Sequence, residues 1–179
     1  MTLNEHLVRM AHNNRWCNHR LLTACRALRE DEYRAERPAY FGTIHATLNH
    51  ILIVDLAYLG RLKGERRVSD DCEELHVTLA RLVAHQSGVD RELIDYCGSQ
   101  TADSLASSVQ FVRANNQPYS ETVLDVLTHL FLHQVHHRGQ VHGMLSGTTV
   151  APPQLDEFFL AGDLDLRRKE LKVLDLPCA

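Results

Sequence analysis

Residues 130–145 read LFLHQVHHRGQVHGML, and two of their histidines, His133 and His137, stand four positions apart. In an α-helix, residues i and i+4 lie on one face, with their Cβ atoms about 5–6 Å apart. That separation lets two imidazoles reach one metal ion at about 2.0–2.1 Å. A third histidine from a facing helix would complete a three-nitrogen site and leave one coordination position open. The stretch therefore predicts a helix that carries two ligands of an open metal site.

Helix phase supports this interpretation of the histidine pair. A helix over 120–146 contains no proline, and at 100° per residue its apolar side chains cluster in one sector, with His133 and His137 inside or beside it. Three further polar residues lie on the edge of that sector: His129, His136 and Gln140. The alternative is a set of partly buried histidines bonded to backbone or carboxylate neighbours. Burial of several imidazoles without a common partner is costly, and a bound cation would remove the cost.

The third histidine would come from a second helix. This helix is predicted over 43–62 and contains the stretch TLNHILIVD at 47–55. This helix is apolar almost all the way round, so phase alone cannot choose between His45 and His50. Asp55 lies among its apolar residues, where a carboxylate is rarely unpaired. Either Asp55 orients a liganding imidazole, or it pairs structurally with an arginine or a tryptophan N–H.

Two asparagines interrupt the apolar stripe of the first predicted helix. Asn14 and Asn18 fall on the same stripe as Leu7, Leu21 and Cys25, and buried amides need hydrogen-bond partners. They either lead toward a polar pocket at the metal or form a local side-chain bond between helices.

Four segments of the chain resemble, in the same order, the DinB/YfiT-like family of metal-binding four-helix proteins. HNNRWCNHRLL at 12–22 is similar to that family's first helix, and FGTIHATLNHILIVDLAYLGRLKG at 41–64 is similar to its second. SVQFVRANNQPYSETV at 108–123 resembles the extended hairpin before the last helix, which HLFLHQVHHRGQVHGML at 129–145 resembles. The most specific pieces are the HxxxHRGQ string and TLNH followed by Asp55. The resemblance covers residues 2–160 and implies His50, His133 and His137 as the metal ligands.

The resemblance also implies a function. We expect one divalent ion per chain, Zn²⁺ or Ni²⁺ first, since imidazole suits Zn, Ni, Cu and Fe alike. Asp55, Asn14, Asn18, His129 and Gln140 are candidates for the second shell or the pocket. Related bundles transfer low-molecular-weight thiols, which implies a metal-dependent thiol S-transferase or a hydrolase acting on a small electrophile. The alternative is a non-catalytic metal-binding accessory protein of the stress response, since the family name refers to damage inducibility.

Composition excludes several other classes of protein. At 179 residues, with 44% hydrophobic and 23% charged residues, the chain fits one globular domain. A formal charge of −4 gives no basic surface for nucleic acid. No apolar stretch reaches the ~18–20 residues of a membrane span, and the polar start MTLNEHLVRM does not resemble a signal peptide. Five widely spaced cysteines without a CxxC pair predict no disulfide framework. We therefore expect a cytoplasmic protein without nucleic-acid or membrane partners.

Long helices joined by short polar breaks predict an all-α fold. We expect a four-helix bundle with a short extended hairpin before the last long helix, and the metal site between facing helices. The bundle should occupy residues 1–162, followed by a C-terminal arm at 163–179 that packs on the bundle or on a partner. In chain order, we predict helices over 4–28, 43–62 and 73–96, a strand over 107–112, a turn over 115–118, and helices over 120–146 and 153–161.

A second apolar stripe on the last long helix predicts self-association. Leu124, Phe131 and Val135 lie roughly 100° or more away from the histidine face. The bundle could bury this stripe against a neighbouring helix, or a two-fold pairing of two chains could cover it. Members of the similar family are often homodimers, so we expect a homodimer.

Overall fold

The computed structural model describes residues 1–65, 67–68, 72–112 and 117–178 and is predominantly helical within them. Asn115 and Asn116 of the predicted turn, and part of the loop before residue 72, lie outside these residues. The described elements follow in chain order: α1 (Leu3–Arg26), α2 (Glu30–Arg34), α3 (Ile44–Lys63), α4 (Leu79–Ser99), α5 (Ala102–Ala106), β1 (Ser108–Val112), β2 (Pro118–Thr122), α6 (Val123–Leu145), a 3₁₀ turn (Ala161–Asp163) and α7 (Leu164–Leu174). The predicted predominance of helix is confirmed, and the two strands form one antiparallel hairpin before α6, as expected.

The two ends of α3 follow from local sequence. Thr43 accepts a hydrogen bond from the backbone N–H of Ala46 at 2.9 Å, which satisfies one of the free donors of the first turn. Gly64 ends the helix with φ at 70°, a left-handed conformation that favours glycine. These two caps fix the position of His50 along the helix.

The start of α4 differs from the prediction, because the helix begins at Leu79 and not at Glu73. The side chain of Asn49 explains the difference. Its Oδ1 accepts hydrogen bonds from the backbone N–H groups of Leu75 (3.0 Å) and His76 (2.8 Å), and its Nδ2 donates to the carbonyl of His76 (3.1 Å). These groups are bound to α3 and are not available to a helical turn.

One other boundary and several short elements also differ from the sequence prediction. The last long helix starts at Val123, because residues 120–122 pair with β1 as part of β2. The short helices α2 and α5 were not predicted. The helix expected over 153–161 is wrong: the carbonyls of Gln154, Glu157 and Leu160 in this segment accept hydrogen bonds from Arg20 and Arg167.

The four helices of 20 residues or more contact one another across one apolar core. α1 packs on α4 and α6, and α3 packs on the same two helices. The hairpin and the short helices lie at the margin of this group. Because α3 faces α6 along most of its length, residues in the middle of the two helices come together in pairs.

The C-terminal segment packs on α1 of the same chain. Leu171, Leu174 and Leu176 are buried in a second apolar cluster around Trp16. The indole Nε1 of Trp16 donates to Glu170 Oε2 at 2.7 Å, and Arg20 Nε donates to the same carboxylate at 2.8 Å. The C-terminal arm was expected to pack either on the bundle or on a partner, and in the structure it packs on the bundle.

The second stripe on α6 is divided between core and surface. Phe131 is only 4% exposed and packs in the main core, whereas Val135 is 54% and Leu132 64% exposed. Of the two alternatives for the stripe, Phe131 follows burial within its own chain, and the homodimer stays a prediction. No helix in the described ranges is both long and apolar enough to cross a membrane.

Candidate metal centre

Three histidines from two facing helices converge in the structure. α3 contributes His50, and α6 contributes His133 and His137. One nitrogen from each ring can be chosen so that all three lie within 4.8 Å of one another. The Nε2 atoms of His50 and His133 are 3.1 Å apart, and the ring centroids of His133 and His137 are separated by 4.3 Å. Nitrogens about 3.3 Å apart are what a tetrahedral ion with ligands at 2.0–2.1 Å requires.

The choice between His45 and His50 is settled by their orientation. The five-residue separation turns His45 about 140° away from His50 on an α-helix. His45 is buried on another side of α3, where its Nδ1 lies 3.3 Å from the hydroxyl of Tyr33 and its Nε2 lies 2.9 Å from Glu74 Oε2. His45 therefore has two partners of its own and is not part of the triad.

The surroundings of the three imidazoles disfavour their charged form. Burial, together with the neighbouring His137 and His50, lowers the pKa of His133 to about 3. Burial and His137 lower the pKa of His50 to about 4. The pKa of His137 is also lowered, mainly by burial. Neutral rings keep the lone pairs that a metal ion needs.

The donor set fits a divalent cation. The Nε2 atoms of His133 and His50 face each other at 3.1 Å. At most one proton can lie between those two nitrogens, so a cation satisfies more of the site than the chain does alone. Three neutral imidazoles suit Zn²⁺ and its neighbours in the first transition row.

Gln140 orients His137 from the next turn of α6. Its Oε1 lies 2.8 Å from His137 Nδ1, and its Nε2 lies 3.2 Å from His136 Nε2. Because an amide oxygen only accepts, Nδ1 of His137 carries the proton and Nε2 carries the free lone pair. A ligating histidine commonly donates its second N–H in this way.

Aromatic rings surround the triad on two sides. The ring of Phe41 lies 4.2 Å from that of His50 and 5.5 Å from that of His137, centroid to centroid. His129, a predicted pocket residue, is exposed; its ring lies 6.2 Å from His133 and 5.0 Å from Tyr58. Phe41 therefore covers the site with apolar surface, while His129 lies at its edge.

The partners of Asp55 differ from both predicted alternatives. Its Oδ2 accepts hydrogen bonds from Gln86 Nε2 (2.8 Å) and from Gln134. Among the described residues, no imidazole, arginine or tryptophan N–H is hydrogen-bonded to Asp55. Burial is the main reason that the pKa of Asp55 rises to about 7. Asp55 thus belongs to a separate polar cluster in the core.

We call this second cluster the carboxamide network, and it joins all four long helices. Asn18 Nδ2 donates to Asp90 Oδ1 at 2.8 Å, and Gln86 Nε2 donates to the same oxygen at 3.1 Å. The guanidinium of Arg138 donates to the side-chain oxygens of both asparagines and of Gln134. Its members are all buried: Asn14, Asn18, Asp55, Gln86, Asp90, Gln134 and Arg138. Asn14 and Asn18 therefore bond between helices and do not line the metal centre.

Four members of the network were missed at the level of sequence: Gln86, Asp90, Gln134 and Arg138. A signal was present, because polar pairs at i and i+4 recur on three helices. Asn14 and Asn18 form one such pair, and the missed residues form two more. The same rule that identified the histidine pair would have placed each of these pairs on one helix face.

A cavity of about 540 Å³ opens beside Gln140. Its size lies within the range of small-molecule sites. Seven residues line it: Arg37, Pro38, Ala39, Gln140, Gly143, Met144 and Gly147. Since Gln140 also contacts His137, a small molecule in this cavity would lie close to the histidines.

The fold and the site together define a helical protein with a three-histidine site of the kind that leaves coordination positions open. The chain belongs to the DinB family, whose model matches residues 1–163. No curated protein matches the sequence closely enough to serve as a relative. Family membership and the three-histidine cluster are both compatible with metal binding.

Proposed function

We propose that His50, His133 and His137 bind one divalent ion, Zn²⁺ or Ni²⁺, within a four-helix bundle of the DinB type. The observation that carries the proposal is the convergence of three neutral imidazole nitrogens from α3 and α6 within 4.8 Å. No carboxylate is hydrogen-bonded to these rings in the described part of the chain. Such an all-nitrogen site favours borderline transition metals over Mg²⁺ or Ca²⁺.

We propose that the protein uses this centre to activate a small thiol, or water, against a small electrophile. The bound ion would lower the pKa of that nucleophile. Gln140 holds His137 in one tautomer, and Phe41 excludes water from one side of the triad. The 540 Å³ cavity beside Gln140 gives the substrate a place to bind. Thiol S-transfer is the first reaction to test, and hydrolysis is the second.

A non-catalytic metal-binding role is the alternative, and one observation favours it. Asp55 is the carboxylate that the sequence placed nearest to the site, and it is engaged by Gln86 and Gln134 in the carboxamide network. It is therefore not free to act as a general base at the histidines. Turnover thus depends on proton transfer through other groups or through the bound nucleophile itself.

Two measurements on one preparation test the proposal. Metal content tests the metal site, and thiol consumption tests the activity. Protein purified without chelator should contain about one divalent ion per chain by elemental analysis. The double substitution His133→Ala/His137→Ala should remove the ion, and His142→Ala, on the same helix outside the triad, should retain it. Metal retained in the double variant would contradict the site.

The same variants are then mixed with a low-molecular-weight thiol and a small electrophile such as 1-chloro-2,4-dinitrobenzene. Metal-dependent loss of the thiol, absent in His133→Ala/His137→Ala, supports the transferase. Full metal occupancy without turnover of thiol or ester substrates supports the accessory role.

We also propose that the protein is a homodimer. The exposed Leu132 and Val135 on α6 are an apolar surface that a second chain could cover. Light scattering should give twice the chain mass of 20.4 kDa, and Leu132→Glu/Val135→Glu should give the chain mass. A wild-type particle of 20.4 kDa would contradict the dimer.

A further inference from the structure

A second cavity lies between α1 and α4, a different helix pair from the one that holds the histidines. Its volume is about 410 Å³, which is in the range of small-molecule sites. α1 contributes Arg15, His19 and Arg26 at intervals of four and seven residues, so these side chains follow one face of the helix. α4 contributes Ser87, Asp90 and Arg91 from the opposite wall.

The three arginines of this cavity lack carboxylate partners. Neither Arg15 nor Arg26 forms a hydrogen bond or an ion pair with any described residue, and Arg91 donates to the hydroxyl of Ser87 at 3.0 Å. The Nε of Arg15 is buried and has no hydrogen-bond partner among these residues. A buried guanidinium N–H without an acceptor is costly, and a ligand oxygen would satisfy it.

Arg15 and Arg91 are close enough to repel each other across the cavity. Burial and the charge of Arg91 both lower the pKa of Arg15. The acidic groups that act on Arg15 are Asp90 and Asp175. Asp90, however, is engaged by Gln86 and Asn18, and burial raises its pKa to about 6. The cavity therefore has a surplus of positive charge.

We infer that this cavity binds a small molecule that carries a phosphate group. Guanidinium groups bind phosphate through charge-assisted, often bidentate hydrogen bonds. Two guanidiniums on opposite walls call for an anion with acceptors in several directions, which a tetrahedral phosphate has and a planar carboxylate lacks. The hydroxyls of Thr23 and Ser87, which also line the cavity, supply neutral donors. A phosphate there neutralises the repulsion and satisfies the free Nε of Arg15.

Calorimetric titration of the full-length protein with glycerol 3-phosphate tests this inference, with succinate and inorganic phosphate as parallel probes. We expect one glycerol 3-phosphate per chain, weaker binding of succinate, and an affinity that falls as salt is added. Arg15→Gln and Arg91→Gln should each weaken binding at least about tenfold. Arg81→Gln removes the same charge from an exposed position on α4, the helix of Arg91, and this control should bind as the wild type does.

Because phosphate can also bind a metal ion, the histidine variant separates the two sites. Binding that survives in His133→Ala/His137→Ala and is lost in Arg15→Gln supports the arginine cavity, whether or not the metal proposal holds. Binding that is lost in the histidine variant and kept in Arg15→Gln would overturn the inference. Wild-type protein that binds none of the three probes at millimolar concentration would also overturn it. Circular dichroism confirms that each variant is folded.

Discussion

Two polar clusters lie in the core of this helical protein, and they are built in opposite ways. The histidine triad contains three like groups from two helices, and the Nε2 atoms of His50 and His133 face each other at 3.1 Å with room for at most one proton between them. The carboxamide network contains two acids, one base and four amides from four helices, joined to one another by hydrogen bonds. The triad therefore has a place for a ligand from outside the chain, whereas the network takes its hydrogen-bond partners from the chain itself, with Oδ1 of Asp55 as an exception among the described residues.

This difference assigns separate roles to the two clusters. Buried polar groups stabilise a fold only if their partners are present when the chain folds. Apart from Oδ1 of Asp55, the hydrogen-bonded network meets that condition, and it links α1, α3, α4 and α6 in one arrangement. The triad does not have all its partners when the chain folds. It is therefore a binding site whose burial lowers the stability of the metal-free fold. The network should dominate the stability of the metal-free protein, and the triad should dominate its response to metal.

The largest expected effect is the loss of a carboxylate from the network. Asp90→Ala removes an acceptor of Asn18 and Gln86 and one of the two acids that interact with the buried Arg138, and uncompensated buried charges typically cost about 3–5 kcal/mol. Urea denaturation of the metal-free protein should show a loss of this size in the free energy of unfolding. Asp95→Ala, at an exposed position of the same helix, is the control and should change it by less than about 0.5 kcal/mol. Equal effects of the two substitutions would remove the distinction between network and surface.

The second effect concerns the triad with and without metal. His133→Leu removes a buried imidazole that has an unpartnered nitrogen, so the metal-free protein should be as stable as the wild type or more stable. Metal at a thousandfold excess over its Kd should stabilise the wild type by about 4 kcal/mol, and this stabilisation should be absent in the variant. The metal-free wild type should remain helical by circular dichroism. If His133→Leu destabilised the metal-free protein by several kcal/mol, the triad would be a structural cluster like the network.

The third effect is a dependence of stability on pH within the network. The pKa of Asp55 rises from 3.8 to about 7 on folding, mainly through burial. Between these values the folded chain binds a proton that the unfolded chain lacks, so stability is present at low pH and is lost as the pH rises through about 7.

Asp55→Asn keeps an acceptor for Gln86 and removes the proton. Relative to the wild type, the variant should therefore gain about 1–3 kcal/mol in the free energy of unfolding between pH 5 and pH 8. Urea titrations at the two values measure this gain. If the free energy of unfolding changed with pH by the same amount in the variant and the wild type, Asp55 would be ionised throughout this range.

The smallest effect concerns the residue that orients the site. Gln140→Leu removes the acceptor of His137 Nδ1–H and leaves the three ligands in place. Loss of such an outer partner commonly lowers metal affinity 10–100-fold, and we expect about tenfold here, since the ligand lies on a rigid helix. A competition titration with a chromophoric chelator measures the change. Affinity unaltered in Gln140→Leu would mean that helix packing alone orients His137.

Helix geometry predicted one part of the metal centre, and tertiary contacts decided the rest. The i, i+4 rule was sufficient for His133 and His137, because it depends only on positions along one helix. It could not choose between His45 and His50, since α3 is apolar on nearly every side. The resemblance to a family made that choice, and the structure shows the geometric reason, a rotation that directs His45 toward Tyr33 and Glu74.

The predictions that were wrong share one physical cause. The hydrogen-bond partners of Asp55 lie 31 and 79 residues away along the chain. Asn49 binds backbone groups 26 and 27 residues away, and these groups therefore do not form the first turn expected of α4. Helical periodicity contains no information about contacts of this kind, because they depend on which helices become neighbours.

The tryptophan of α1 gives the molecule a built-in optical reporter. Trp16 is the single tryptophan of the chain and is completely buried. Its indole N–H donates to Glu170, and the guanidinium of Arg20 lies 4.2 Å from the centre of its ring. Release of the C-terminal segment would expose the indole to water and shift its fluorescence to longer wavelength, while the far-ultraviolet dichroism of the long helices stayed almost constant. The emission of one residue can thus distinguish detachment of the last helix from unfolding of the whole protein, without any added label.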